Sequence, residues 1–200
     1  MQVAVLVPVK AFREAKGRLR GALSDDERMQ LARWMATRVV EAAAPNRVVV
    51  VCDDADVARW AEGAGASVLW SPARGLNAAV GDGVRALSAE GFDSIVVSHS
   101  DLPLATDLGR LADPTRATLV PDGRDDGTNV LALPAGASIT FGYGAGSFRH
   151  HLAECRRAGL DPHIVRDPLL ALDVDTPDDL ADPRVQEVLR WVPTNPASRP

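Results

Sequence analysis

What the chain lacks narrows its function before any motif is read. It has 2 cysteines in 200 residues, Cys52 and Cys155, without the spacing of a zinc site or a disulfide framework, so both read as reduced thiols filling space. Aromatic residues make up only 4% and lysine is scarce. No basic face with interleaved aromatics appears, and with a net charge of -5 this argues against nucleic acid as a partner. No apolar run approaches the length of a membrane span, and Val3–Val9 is too short for a signal-peptide core. A cytoplasmic protein without a membrane partner is therefore expected. No Ser/His/Asp or Cys/His arrangement suggests covalent catalysis. His150 and His151 lie at no metal-ligand spacing and read as structural or surface residues.

What is present is an alternation of strand and helix signals. Val3–Val9 is an apolar, β-branched run of the kind buried on both faces of a sheet. Ser24 and Glu27 form a capping box for a helix that Pro45-Asn46 stops. Strands are expected at Arg47–Cys52, Ser67–Trp70 and Ser94–Ser98, with helices over Val57–Ala64 and Leu76–Leu87. The second half is less regular: strands Ala117–Pro121 and Thr128–Leu133, a helix over Ser147–Ala158, and short extended pieces at Pro162–Val165 and Leu169–Leu172. Asp182-Pro183 caps a last helix to Trp191. The fold class expected is α/β, three layers, with a mostly parallel twisted sheet covered by helices on both faces. Residues 1–191 form one domain in this reading, and 192–200, rich in Pro and Ser, a disordered tail.

Two anion-binding features stand out. Val3–Val9 opens into Lys10, Arg13, Lys16, Arg18 and Arg20, with Glu14 the only acidic residue among them. An acidic chain that gathers cations at a strand's carboxyl end suits a nucleoside triphosphate, because ligands of open α/β sheets bind at that edge. The second feature is Phe141–Phe148, where Gly142, Gly144 and Gly146 let backbone N–H groups converge at a helix start near Ser147. It is neither a Walker A motif nor a dinucleotide fingerprint. Asp126-Gly127-Thr128-Asn129 heads a nearby strand and offers further donors, while Arg74-Gly75-Leu76-Asn77 opens a helix and is placed to meet a base or ribose. Asp101 follows one strand end, and Asp173 and Asp175 are expected to follow another. Such carboxylates suit Mg²⁺, which takes oxygen ligands and bridges them to phosphates. The alternatives are a turn residue at Asp101 and a helix cap at Asp175.

The blocks V-P-V-K with A-K-x-R-L in Val7–Leu19, R-G-L-N at Arg74–Asn77, S-H-S-D-L-P-L at Ser98–Leu104, D-G-T-N-V-L at Asp126–Leu131, Y-G-x-G-S-F-x-x-H at Tyr143–His151 and L-D-V-D-T-P-D-D-L at Leu172–Leu180 stand in one order. Together they resemble the guanylyltransferases of coenzyme F-420 biosynthesis, which act on phosphoenolpyruvate or 2-phospho-L-lactate. The resemblance implies a fold like that of nucleotide-diphospho-sugar transferases and transfer of GMP from GTP to a small phosphorylated acid. It places Thr128, Gly144 and Ser147 at the acid, Asp101, Asp173 and Asp175 at Mg²⁺, and Lys10, Lys16 and Arg18, with Asn77, at the nucleotide. Lys10, Lys16 and Asp101 form the catalytic set in this reading. Phosphoenolpyruvate is the expected acceptor because the composition looks actinobacterial; 2-phospho-L-lactate and 3-phosphoglycerate are alternatives. A GTP-binding regulatory module without turnover is a second alternative, and assembly into a homo-oligomer is left open.

Overall fold

The computed structural model describes residues 1–72 and 75–189. Arg74, Trp191 and the expected tail lie outside the described residues. Six helices and seven strands are formed there: β1 Val3–Pro8, α1 Asp25–Ala42, β2 Arg47–Cys52, α2 Ala55–Gly63, β3 Ser67–Trp70, α3 Leu76–Ala89 and β4 Ser94–Ser98, then β5 Thr118–Pro121, β6 Thr128–Pro134, α4 Ser147–Arg157, β7 His163–Ile164, α5 Pro177–Leu180 and α6 Pro183–Leu189. The strands join into one 7-stranded sheet of order β3-β2-β1-β4-β6-β5-β7. Four neighbouring pairs are parallel; β6 runs antiparallel to both β4 and β5.

The side-chain period of a strand explains the layering. Val3, Val5 and Val7 pack with Ala36, Val39 and Val57 of α1 and α2, whereas Ala4 and Leu6 pack with Val80, Val84 and Leu87 of α3. Leu131 and Leu133 continue the second face under Phe148 and Cys155 of α4. The close approach of α3 depends on Gly83: a Cβ there would meet Leu6 Cδ2 at 2.5 Å. Cys52 and Cys155 are both buried free thiols.

Local signals set most element starts. Ser24 Oγ and Glu27 complete the capping box of α1, and Asp54 Oδ1 accepts from the Asp56 and Val57 N–H groups to start α2 two residues earlier than its apolar pattern suggests. Leu169–Leu172 is not extended. Asp167 Oδ1 accepts from the Leu169 and Leu170 N–H groups, and its carbonyl accepts from Ala171, so the segment curls into a turn. Asp173 therefore follows a turn rather than a strand. The cap of α5 is Thr176, paired with Asp179 in a capping box, and not Asp175. Among the described residues no helix is long and apolar enough to cross a membrane.

Candidate active site

From β1 the chain passes to β2 on one side of the sheet, while β4 lies on the other. The crevice outside their carboxyl ends is the topological switch point at which open α/β sheets bind ligands. Because β6 is antiparallel to β4, its first residues, Thr128 and Asn129, arrive at that same edge, and the His99 N–H donates to the Asn129 carbonyl at 2.9 Å.

The loop after β1 makes two single 3₁₀ turns, Phe12–Glu14 and Gly17–Leu19, separated by Lys16 in the left-handed conformation (φ 56°). Buried Phe12 and Leu19 pin the two turns, and Arg28 of α1, itself buried, donates to the Ala15 carbonyl at 2.7 Å. These anchors turn Lys16 inward, so that its side chain is only 7% exposed. Its ammonium donates to Asp101 Oδ2 at 2.6 Å and to Asp175 Oδ1 at 2.9 Å. Arg18 adds a longer contact to Asp175 Oδ2, at 3.5 Å. The Val174 N–H donates to the Asp101 carbonyl at 3.3 Å, which draws the Asp173–Asp175 segment alongside. Buried Asn129 holds that segment from the other side, donating to the Leu170 carbonyl at 2.9 Å and to Asp173 Oδ1 at 3.4 Å.

The charges of this cluster compete openly. Burial alone disfavours both the Lys16 cation and the Asp101 anion. Their mutual attraction, with Asp175 adding to it, outweighs burial, so Lys16 is held above and Asp101 below its ordinary range. Asp173 has no ion-pair partner among the described residues: burial, then the neighbouring Asp101 and Asp175, push its carboxyl up.

The cationic block is thus not the unpaired positive patch that its sequence suggests. Lys10 pairs with Glu14 at 3.1 Å, Arg13 with Asp54, and Lys16 and Arg18 with the aspartates above. Lys10 remains 71% exposed and lines a cavity of about 720 Å³ with Arg13, Asp53, Asp54, Leu76 and Asp101. A smaller adjoining cavity of about 240 Å³ is bordered by Lys10, Lys16, Asp101 and Asp175.

The glycine loop forms a second cluster. Ser147 Oγ accepts from the Thr128 N–H at 2.9 Å, and both residues are buried. Buried His151 spans the loop: its Nε2 accepts from the Gly142 N–H at 3.1 Å, which leaves Nδ1 as the protonated nitrogen donating to Thr128 Oγ1 at 3.0 Å. Burial lowers the His151 pKa to about 4, with His150 and His99 adding to the effect. Gly144, at φ 123°, lies on the exposed rim. The start of α4 is partly taken already, since the Gly146 N–H donates to Asp126 Oδ2 at 3.1 Å. Asn77 faces this loop: its Oδ1 accepts from the Tyr143 N–H at 2.7 Å. Thr128, Gly144 and Ser147 line neither of the two cavities.

Between the clusters, the His99 and Tyr143 rings meet at 5.2 Å with a tilt of 45°, and His99 Nδ1 lies 3.9 Å from Asp101 Oδ1. Among the described residues, Asp101 Oδ1, His99 Nε2 and Tyr143 Oη are buried without a hydrogen-bond partner. Among the described residues no three His, Cys, Asp or Glu side chains are disposed around a metal position. At Asp101 and Asp175 the ammonium of Lys16 stands between the carboxylates instead. The donors themselves fit a hard divalent cation: they are carboxylate oxygens, and Asp101 Oδ1 is buried and unmatched.

Residues 3–185 match the family described as guanylyl transferase CofC like. The chain belongs to this family. Curated relatives extend over nearly the whole chain. The phosphoenolpyruvate guanylyltransferase of Rubrobacter xylanophilus is 37% identical over 90% of this chain and 93% of its own. The 2-phospho-L-lactate guanylyltransferase of Methanothermobacter thermautotrophicus is 35% identical over 91% and 84%. Among solved structures, a protein described as a nucleotide-diphospho-sugar transferase from Desulfovibrio desulfuricans G20 aligns with a TM-score of 0.73 at 18% identity, covering 95% of each chain. A nucleotidyl transferase from Methanothermobacter thermautotrophicus aligns at 0.67 and 15%, covering 94% of this chain and 98% of its own. The fold of this CofC-like chain is accordingly that of the nucleotide-diphospho-sugar transferases, and the chain is an enzyme of the nucleotidyltransferase class.

Several members of the site carry no sequence signal for their role. His151 ends the glycine-loop block and reads as structural or surface, and only folding shows that it locks Thr128 to the glycine loop. Asp53 and Asp54 lie at a strand end without a motif of their own, whereas His99 and Asn129 stand inside two of the sequence blocks, His99 with no role evident there. The partners of Lys16 are 85 and 159 residues away in the chain, beyond any local pattern.

Proposed function

We propose that the chain transfers GMP from GTP to phosphoenolpyruvate, giving enolpyruvoyl-2-diphospho-5'-guanosine and pyrophosphate in coenzyme F-420 biosynthesis. The observation that carries this reading is Lys16, buried between Asp101 and Asp175 on a small cavity that adjoins one large enough for a nucleotide. The names of relatives at 37% and 36% identity favour phosphoenolpyruvate as acceptor.

The reaction needs no protein nucleophile. An oxygen of the acceptor's phosphate attacks the α-phosphorus of GTP, the bond to the β-bridging oxygen breaks, and pyrophosphate leaves with that electron pair. Catalysis then consists of positioning and charge neutralisation. In this reading Lys10, Lys16 and Arg18 hold the triphosphate and the departing pyrophosphate. Asn77 orients the glycine loop beside the nucleotide. Thr128 and Ser147 set the shape of the loop, and Gly144 presents its backbone to the acceptor acid. Asp101, Asp173 and Asp175 would hold Mg²⁺, which supplies neutralisation of phosphate oxygens when bound.

The test is incubation with GTP, Mg²⁺ and, in turn, phosphoenolpyruvate, 2-phospho-L-lactate and 3-phosphoglycerate, with mass detection of the guanylylated acid. Product from phosphoenolpyruvate in preference to the others is expected. Preference for another acid overturns the acceptor, and no product from any overturns the reaction.

A further inference from the structure

Lys16 combines features that a simple phosphate-binding lysine does not need. It is a non-glycine residue held at φ 56°, a conformation that persists only where the surroundings enforce it. Its side chain is 7% exposed, and its ammonium makes short contacts to two carboxylates that lie 85 and 159 residues away in the chain. A third carboxylate, Asp173, stands in the same segment as Asp175, where Asn129 Nδ2 donates to it at 3.4 Å. Beside this cluster, Asp101 Oδ1 is buried without a hydrogen-bond partner among the described residues. Lys16, with Arg18 at longer range on Asp175, therefore serves a pocket whose carboxylates could neutralise more positive charge.

We propose that Lys16 is a resident counter-cation: its ammonium keeps Asp101 and Asp175 paired in the free enzyme, and a divalent metal takes these carboxylates only when a substrate phosphate draws the ammonium away. The inference rests on the metal and phosphate roles given above and adds their order. A dication and a buried ammonium cannot share the same two carboxylates, because like charges at such separations repel strongly where water is excluded. The phosphate has a short route to Lys16. The cavity bordered by Lys10, Lys16, Asp101 and Asp175 adjoins the larger one, and Lys10, Glu14, Ser100 and Asp101 line both. Rotation of the Lys16 side chain toward a phosphate in this space frees both carboxylates without moving the backbone, which Arg28 clamps at Ala15. Metal and phosphate then favour each other's binding by the same factor, as linkage requires.

The chain's lysines are Lys10 and Lys16 alone, so a nitrogen-15 lysine spectrum reports the Lys16 ammonium with one exposed companion. In the wild-type protein, millimolar Mg²⁺ alone is expected to leave the Lys16 resonance in place, whereas a GTP analogue with a methylene between the α- and β-phosphorus shifts it. Mn²⁺ binding, followed by electron paramagnetic resonance without nucleotide, is expected to be at least tenfold tighter in Lys16→Met than in wild type. Adding Asp101→Asn to Lys16→Met should remove that gain. A Lys16 resonance displaced by Mg²⁺ alone overturns the proposal, and this holds even if Lys16→Met does not fold. Equal Mn²⁺ affinity in wild type and Lys16→Met, lost in Asp101→Asn, overturns the counter-cation role while leaving the metal site standing. Mn²⁺ affinity indifferent to Asp101 and Asp175 overturns both.

Discussion

His151 shows how one buried side chain shapes a site that it does not line. Its fixed tautomer links the Gly142 N–H to the Thr128 hydroxyl, and protonation at Nε2 would break the first of these bonds. Burial lowers its pKa from 6.5 to about 4, so between those values the unfolded chain takes up a proton that the native protein refuses. Stability is therefore lost as pH falls from 6.5 toward 4, by on the order of 3 kcal/mol in full. Urea unfolding at pH 7 and pH 4.5 is expected to show this loss in wild type and a smaller one in His151→Gln; equal losses would contradict it. Asp173 is the converse case. Its carboxylate is destabilised by burial and by Asp101 and Asp175, so Asp173→Asn should leave the Tm unchanged or raise it. The same change should slow pyrophosphate release by at least about 10²-fold, since it removes one of the carboxylates that would hold Mg²⁺ at the reacting phosphates. A variant with normal turnover would sink the role given to Asp173.

At the scale of elements, what was legible in the sequence depended on how local the cause was. The capping box of Ser24 and Glu27 and the β-branched run of β1 act over a few residues, and both formed where their patterns stand. The turn at Leu169–Leu172 was missed because two leucines flanking an alanine look extended, while the Asp167 side chain that curls them precedes the run. The glycine loop was legible as a loop and His151 as the end of its block, but not as the residue that shapes it. Its contacts to Gly142 and Thr128 require α4 to lie across β6. Two substitutions probe these elements. Thr176→Ala removes the hydroxyl that caps α5, directly after Asp175, and should cost about 1 kcal/mol. It should also raise the KM for GTP, and kinetics unaltered by the lost cap would detach α5 from the site. Gly83→Ala forces a methyl against Leu6 and should cost about 1–3 kcal/mol, measured by thermal unfolding, with no change in the pH profile of activity.

For the whole molecule, alternating signals in the first half predicted the parallel order of β1 to β4, because each helix there returns the chain to the same edge. The antiparallel insertion of β6 between β4 and β5 was not legible, yet it is what brings Thr128 and Asn129 to the carboxyl ends of β1 and β4. The candidate site is therefore an assembly of distant segments: the loop after β1, the end of β4, the start of β6 and the turn before α5. Each supplied a recognisable residue, while the ion pairs joining them depend on the fold. The account as a whole claims cleavage between the α- and β-phosphorus of GTP with capture of GMP by an acid's phosphate. Phosphorus-31 NMR of the wild-type enzyme with GTP, Mg²⁺ and phosphoenolpyruvate tests this most directly. The account predicts that the GTP signals give way to pyrophosphate and to the coupled pair of a new diphosphate diester. Formation of GDP and inorganic phosphate, or an unchanged spectrum, would contradict it.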